Sequence, residues 1–141
     1  MLTSLRSSLR TARLEGLRCE HRAAILGRLE ASGRPVRVAA YVLAGPGRER
    51  QADVELLARY AERMGWKVAG SSFADVGEPP PLAGRAGFAA ACRYAAQGYA
   101  HGILALARPA LTTDNDAYAH VLEYLHTRGV FLDYPPSAPT P

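Results

Sequence analysis

From Arg37 onward the chain alternates between short apolar runs and segments whose apolar residues recur three and four apart. Arg37–Leu43 (RVAAYVL) reads as an apolar strand, and 49–64 as a helix with Val54, Leu57, Ala58, Ala61 and Met64 on one face, stopped by Gly65. Trp66–Phe73 is the second strand. A polar, Pro-rich loop from Asp75 to Gly84 precedes a helix that opens at Arg85 or Ala86 and carries Phe88, Ala91, Cys92, Ala95 and Tyr99. Gly102–Leu106 is apolar throughout, as a strand covered on both faces should be. Thr112 or Thr113 is placed to cap the next helix, whose core face is Tyr118, Val121, Leu122 and Leu125. Val130–Leu132 is the last strand. Strands and helices that alternate through short connections must cross over right-handedly, and this gives a mostly parallel sheet. The expected architecture is a three-layer αβα domain over about residues 35–134 with a sheet of about four strands, followed by a Pro-rich tail over 135–141.

Residues 1–34 have a different character. A helix is expected over 4–31, ended by Ser32-Gly33-Arg34-Pro35. Leu2, Leu5, Leu9, Ala12, Gly16, Cys19, Ala23 and Leu26 form a heptad-like stripe that is weak where its residues are small; Leu14, Leu17, Ile25 and Leu29 lie off it. This segment holds seven arginines against three glutamates, whereas the remaining chain balances ten against ten, so the whole net charge of +4 sits here. Phosphate binding needs clustered positive charge, and Arg6, Arg10, Arg13, Arg18 and Arg22 are the candidate nucleic-acid contacts. A solvated arginine-rich helix is the plainer reading. Either way the segment reads as a basic extension that the domain can lose and still fold.

Several classes are excluded or disfavoured. No apolar run is long enough to span a membrane, and Arg6, Arg10 and Arg13 break any secretory pattern, so a cytoplasmic setting is expected. Cys19 and Cys92 match no metal spacing, and His120 and His126 stand six apart rather than on one helical face. Gly45-Pro46-Gly47 has neither the phosphate-loop nor the dinucleotide spacing, so no metal or cofactor is expected.

In an open α/β sheet, ligands bind at the carboxyl ends of the strands. At those ends the run Tyr41-Val42-Leu43-Ala44-Gly45-Pro46 resembles the Y-x-R-V-S-T start of serine recombinases of the resolvase type. Gln51, Leu57, Tyr60-Ala61 and Gly65-Trp66 resemble the family's following helix and turn. Phe73, Asp75 and Gly77 resemble its F-x-D-x-G strand end, and Arg85-Ala86-Gly87-Phe88 its R-P-G-F helix start. Leu106-Ala107-Arg108-Pro109-Ala110-Leu111 falls where the family has L-D-R-L-x-R, and Arg128-Gly129-Val130 matches its R-G-V. The resemblance spans about 37–134 and implies a resolvase-like fold.

The family's reaction proceeds through a phosphoseryl intermediate and needs a serine nucleophile with several arginines around the scissile phosphate. Carried over, the nucleophile position is Gly45, the arginine two residues before it is Leu43, the acid of L-D-R is Ala107, and the motif's second arginine is Leu111. Only Arg85 and Arg108 keep the family's residue type, as a relic phosphate-binding pair or as ordinary loop and helix-end arginines. The resemblance therefore implies an inactive resolvase-like module whose partner is DNA or a protein, a second copy included. The alternatives are an active serine recombinase that has moved its nucleophile, and a small-ligand α/β binding protein. Full-length recombinases would add a long dimer helix and a C-terminal DNA-binding part; neither is expected in this sequence, which has no helix-turn-helix or zinc ribbon.

Overall fold

The spine of the structure, a computed structural model describing residues 2–44, 49–76 and 81–136, is the strand β1, Arg37–Ala44. Seven of its side chains alternate between two faces that are both covered, which is why its sequence is apolar without a polar alternate. Helix α1, Leu2–Ala31, precedes it. Then follow α2 (Glu49–Met64), β2 (Lys67–Val68), β3 (Phe73–Val76), α3 (Ala86–Ala96), β4 (Gly102–Leu104), α4 (Asn115–Thr127) and β5 (Phe131–Asp133). Short 3₁₀ turns occupy Leu82–Gly84 and Arg108–Ala110.

Every strand pair is parallel. The order is β2-β1-β4-β5, with β3 also pairing β1. The expected second strand, Trp66–Phe73, is thus two pieces: β2 pairs Arg37 and Val38, and β3 pairs Tyr41 to Ala44. The chain leaves the ladder at Gly70-Ser71-Ser72, where glycine and serine favour irregular backbone. Phe73–Val76 returns as strand, so Asp75 belongs to the sheet and not to the loop expected there. Gly77, Pro79 and Pro80 of that loop, the Gly45-Pro46-Gly47 turn and the tail from 137 lie outside the described residues.

One face of the sheet packs Val38, Ala40, Val42, Leu104 and Phe131 against Leu57, Tyr60 and Ala61 of α2 and Ile25 and Leu29 of α1. The other packs Ala39, Tyr41, Ile103 and Leu132 against Phe88, Ala91, Cys92 and Ala95 of α3 and Tyr118, Leu122 and Leu125 of α4. Burial pushes the Cys92 thiol up to about 12, which keeps it an inert packing group. The three-layer αβα expectation holds.

The buried face of α1 is not the heptad stripe. Leu14, Arg18, Ile25 and Leu29 are buried, whereas Leu5 and Leu9 are 57% and 58% exposed, and Ala12, Gly16, Cys19 and Ala23 face solvent. The helix thus contributes Ile25 and Leu29 to the layer beside α2, and Leu14 reaches the opposite cluster.

His21 of α1 stacks on His126 of α4, with ring centroids 3.8 Å apart and an interplanar angle of 11°. Burial, and then the neighbouring His126, lower the His21 pKa below its ordinary value against an opposing pull from Glu20. A histidine whose folded pKa is depressed favours folding when neutral. Its contribution is complete above the unfolded value of about 6.5 and is lost as pH falls through the lower folded value. We expect His21→Gln to flatten part of the acid-side fall in melting temperature below about pH 6.5. Some slope should remain, because burial lowers the His101 pKa in the same direction. A melting-temperature profile of identical slope would exclude the His21 contribution.

Candidate strand-end site

The carboxyl ends of β1 and β3 lie side by side, with Leu43 in register with Asp75. Asp75 is fully engaged: Tyr41 Oη donates to its Oδ2 at 2.8 Å, the Gly87 amide to Oδ1 at 2.9 Å and the Phe88 amide to Oδ2 at 3.0 Å. The last two are free amides of the first turn of α3, whose own N-cap residue, Arg85, makes no side-chain cap. A strand-end carboxylate therefore caps a helix that begins eleven residues later, where negative charge also suits the helix dipole. Burial and the bond to Asp75 raise the Tyr41 pKa, while Arg85 opposes this. Gly87 makes the approach feasible. A Cβ there would stand 2.1 Å from the Ala74 carbonyl oxygen and 2.9 Å from Asp75 Oδ2.

Arg85 is buried and donates from Nη1 to the Ala110 carbonyl at 2.9 Å. Arg108 lies 4.1 Å over the Tyr118 ring and donates to the Thr112 carbonyl at 3.2 Å and to Asn115 Oδ1 at 2.6 Å. Both arginines thus bond within the same segment, 108–115. Of the other carried-over positions, Leu43 is half-buried, Ala107 is exposed and Leu111 is wholly buried among the α3 and α4 side chains. Gly45 lies outside the described residues. The cap of α4 is Asp114, which accepts from the Asp116 amide, and not the expected Thr112 or Thr113; Thr112 Oγ1 instead accepts from the Asp114 amide.

The five arginines of α1 divide. Arg6 and Arg13 are exposed, and among the described residues neither forms a salt bridge. Arg10 pairs with Asp116 at 2.6 Å on the surface. Arg18 is buried and donates to the Leu132 carbonyl at 2.8 Å, to Asp133 Oδ1 at 3.1 Å and to Glu15. Burial opposes the Arg18 charge, but the bond and the charge of Glu15, with Cys19 and Tyr118 nearby, together outweigh it and hold the pKa above its usual value. Arg22 Nε stands 3.1 Å from Asp133 Oδ2, off the hydrogen-bond direction, with its guanidinium over the Trp66 ring. Arg18 and Arg22 are therefore engaged within the fold, at the end of β5.

Asp133, buried at the end of β5, is the centre that sequence reasoning missed. It holds Arg18, Arg22 and Tyr60, whose hydroxyl donates at 2.7 Å. The available signal was an acid directly after an apolar strand, together with two arginines four apart on one helix.

Beside this centre a crevice of about 330 Å³ opens at the ends of β4 and β5, lined by Glu15, Arg18, Ala107, Arg108 and Tyr134. A larger apolar groove of about 470 Å³ lies between α3 and α4, away from these strand ends. Among the described residues no group of three or more acids, histidines or cysteines is placed to hold a metal, and no helix is long and apolar enough to cross a membrane.

No protein-family model matches the chain, and no curated protein matches it. Solved structures do. The C-terminal catalytic domain of ISC1926 TnpA, an IS607-like serine recombinase, superposes with a TM-score of 0.61 at 18% identity, over 73% of this chain and 72% of that one. The N-terminal catalytic domain of TP901-1 integrase gives 0.60 at 19% identity, over 70% of this chain and 75% of that one. The α/β fold is that of serine recombinase catalytic domains.

Proposed function

We propose that this chain, carrying the fold of serine recombinase catalytic domains, binds without cutting: an interaction or weak nucleic-acid-binding module that lacks strand-exchange chemistry. One observation carries the reading. Leu111, where the resemblance puts a phosphate-binding arginine, is 0% exposed inside the core. A guanidinium could not take that place without burying an unpaired charge. The neighbouring turn supports the same reading, since Arg85 and Arg108 hold backbone carbonyls of that segment and Ala107 offers no carboxylate. Cleavage through a phosphoseryl ester also needs a serine hydroxyl. The carried-over position is Gly45, and Leu43 supplies no cation two residues before it.

Incubation with duplex DNA, followed by denaturing separation that preserves a phosphoseryl ester, is expected to give no covalent adduct. An adduct would overturn the reading in favour of a recombinase with a displaced nucleophile. On the binding side, Arg6 and Arg13 are exposed cations of α1 without a salt bridge among the described residues. Changing both to serine should weaken low-salt DNA retention and reduce the salt slope by up to about 2, roughly one per phosphate contact. Retention and slope unchanged would exclude α1 as the contact.

The crevice beside Arg108 favours a second reading, a small anionic ligand at the sheet edge. Thermal shift against nucleotides and phosphate compounds tests it, and stabilisation by one of them would support it.

A further inference from the structure

Helix α1 buries one face and leaves the opposite one bare. The bare face is the heptad stripe from Leu5 to Ala23, with Leu5 and Leu9 more than half exposed and Ala12, Gly16, Cys19 and Ala23 continuing it along solvent. Two large leucines one turn apart on a surface helix are an apolar patch with no occupant in the chain's own fold. Gly16 adds an independent point. Glycine inside a helix costs about 1 kcal/mol relative to alanine. Here a Cβ would meet nothing within 4 Å and φ is not positive, so the chain's own packing gives no reason for it.

We propose that this stripe pairs antiparallel with the same stripe of a second copy of the chain. The ordering of its residues selects that partner and that direction. Set Ala12 opposite Gly16 of the second copy: Leu9 then faces Cys19 and Leu5 faces Ala23, and the two-fold axis repeats each pair. Each of these three layers matches a larger side chain to a smaller one, as close helix packing requires. Parallel pairing would instead set leucine on leucine at one end and glycine on glycine in the middle. Charge agrees with the antiparallel choice. Arg6 and Glu20 lie on one flank of the stripe, both exposed and, among the described residues, without a salt bridge. Antiparallel pairing brings Arg6 beside Glu20 of the second copy at both ends. Arg13 meets its own copy near the axis, a like-charge contact that lowers affinity, while on the other flank Glu15 is already neutralised by Arg18.

Sedimentation equilibrium of the full chain in reductant, from micromolar to submillimolar concentration, tests this. The mass should rise from 15.1 kDa toward twice that value. Leu9→Glu should weaken association at least about tenfold, and Leu5→Glu likewise, with thermal melts unchanged at dilutions where every form is monomeric, because both sites are exposed. Arg6→Glu and Glu20→Arg should each weaken it, and the double exchange should restore it. Leu9→Cys should give a disulfide-linked dimer through Cys19 of the second copy on mild oxidation, whereas wild-type Cys19 should not link to itself. A monomer throughout the range, or a dimer indifferent to both glutamate variants, would overturn the proposal. So would efficient Cys19–Cys19 linkage in the wild type, which requires another register.

Discussion

A chain lacking residues 1–34 should show no cooperative thermal transition. The deletion removes the buried side chains Leu14, Ile25 and Leu29, each contributing roughly 1.5–3 kcal/mol. It also strands Asp133, a buried carboxylate, without Arg18 or Arg22, and breaking such a pair from one side costs about 3–5 kcal/mol. Together these approach the whole stability of an ordinary domain, about 5–15 kcal/mol. Asp133→Ala isolates the second part. It should lower stability by about 3–5 kcal/mol in urea titration, leaving Arg18 buried beside an empty position. A truncated chain that melts cooperatively within a few degrees of the full one would show that α1 is separable after all.

Gly87→Ala should also be severely destabilising, by about 2–5 kcal/mol, combining overpacking with loss of a helix cap. The new methyl meets backbone, the Ala74 carbonyl oxygen at 2.1 Å, and not the yielding tip of a side chain. Relief requires α3 to withdraw from the sheet, and withdrawal breaks the two amide bonds to Asp75 that hold its first turn. Gly70→Ala, where a Cβ meets nothing within 4 Å, is the matched control and should leave the urea midpoint nearly unchanged. Equal midpoints for both variants would mean that the helix start is far looser than the geometry indicates.

The alternation of strand and helix, the parallel sheet and the extent of α2 were legible from apolar periodicity, because each core layer is built from contiguous aliphatic runs. The orientation of α1 was not. Its buried stripe runs through Arg18 and half-buried His21, polar groups that break the apolar pattern, while the exposed stripe carries the more regular leucines. Hydrophobicity alone selects the wrong face in such a helix. The Asp133 centre joins residues more than a hundred positions apart, and a carboxylate acquires an identifiable partner only once β5 is set against α1. Asp75 escaped for a related reason: a cap is sought among the residues just before a helix, and α3 takes its cap from the end of another strand. At the candidate site Leu43, Ala107 and Leu111 were legible as uncharged residues. That Leu111 is core, and that Arg85 and Arg108 hold the same turn, required the fold.

The bond from Arg18 to the Leu132 carbonyl has a meaning beyond stability. Phe131 and Asp133 direct their ladder bonds to the 101–105 segment, so the polar groups of Leu132 turn outward, along the border of the sheet that has no neighbouring strand among the described residues. An unguarded border of this kind recruits strands from other molecules. Through Arg18, α1 occupies the outward carbonyl of Leu132 on that border. Variants that loosen the helix should therefore be recognised first by insolubility and fibril-dye binding, before any loss of helical signal.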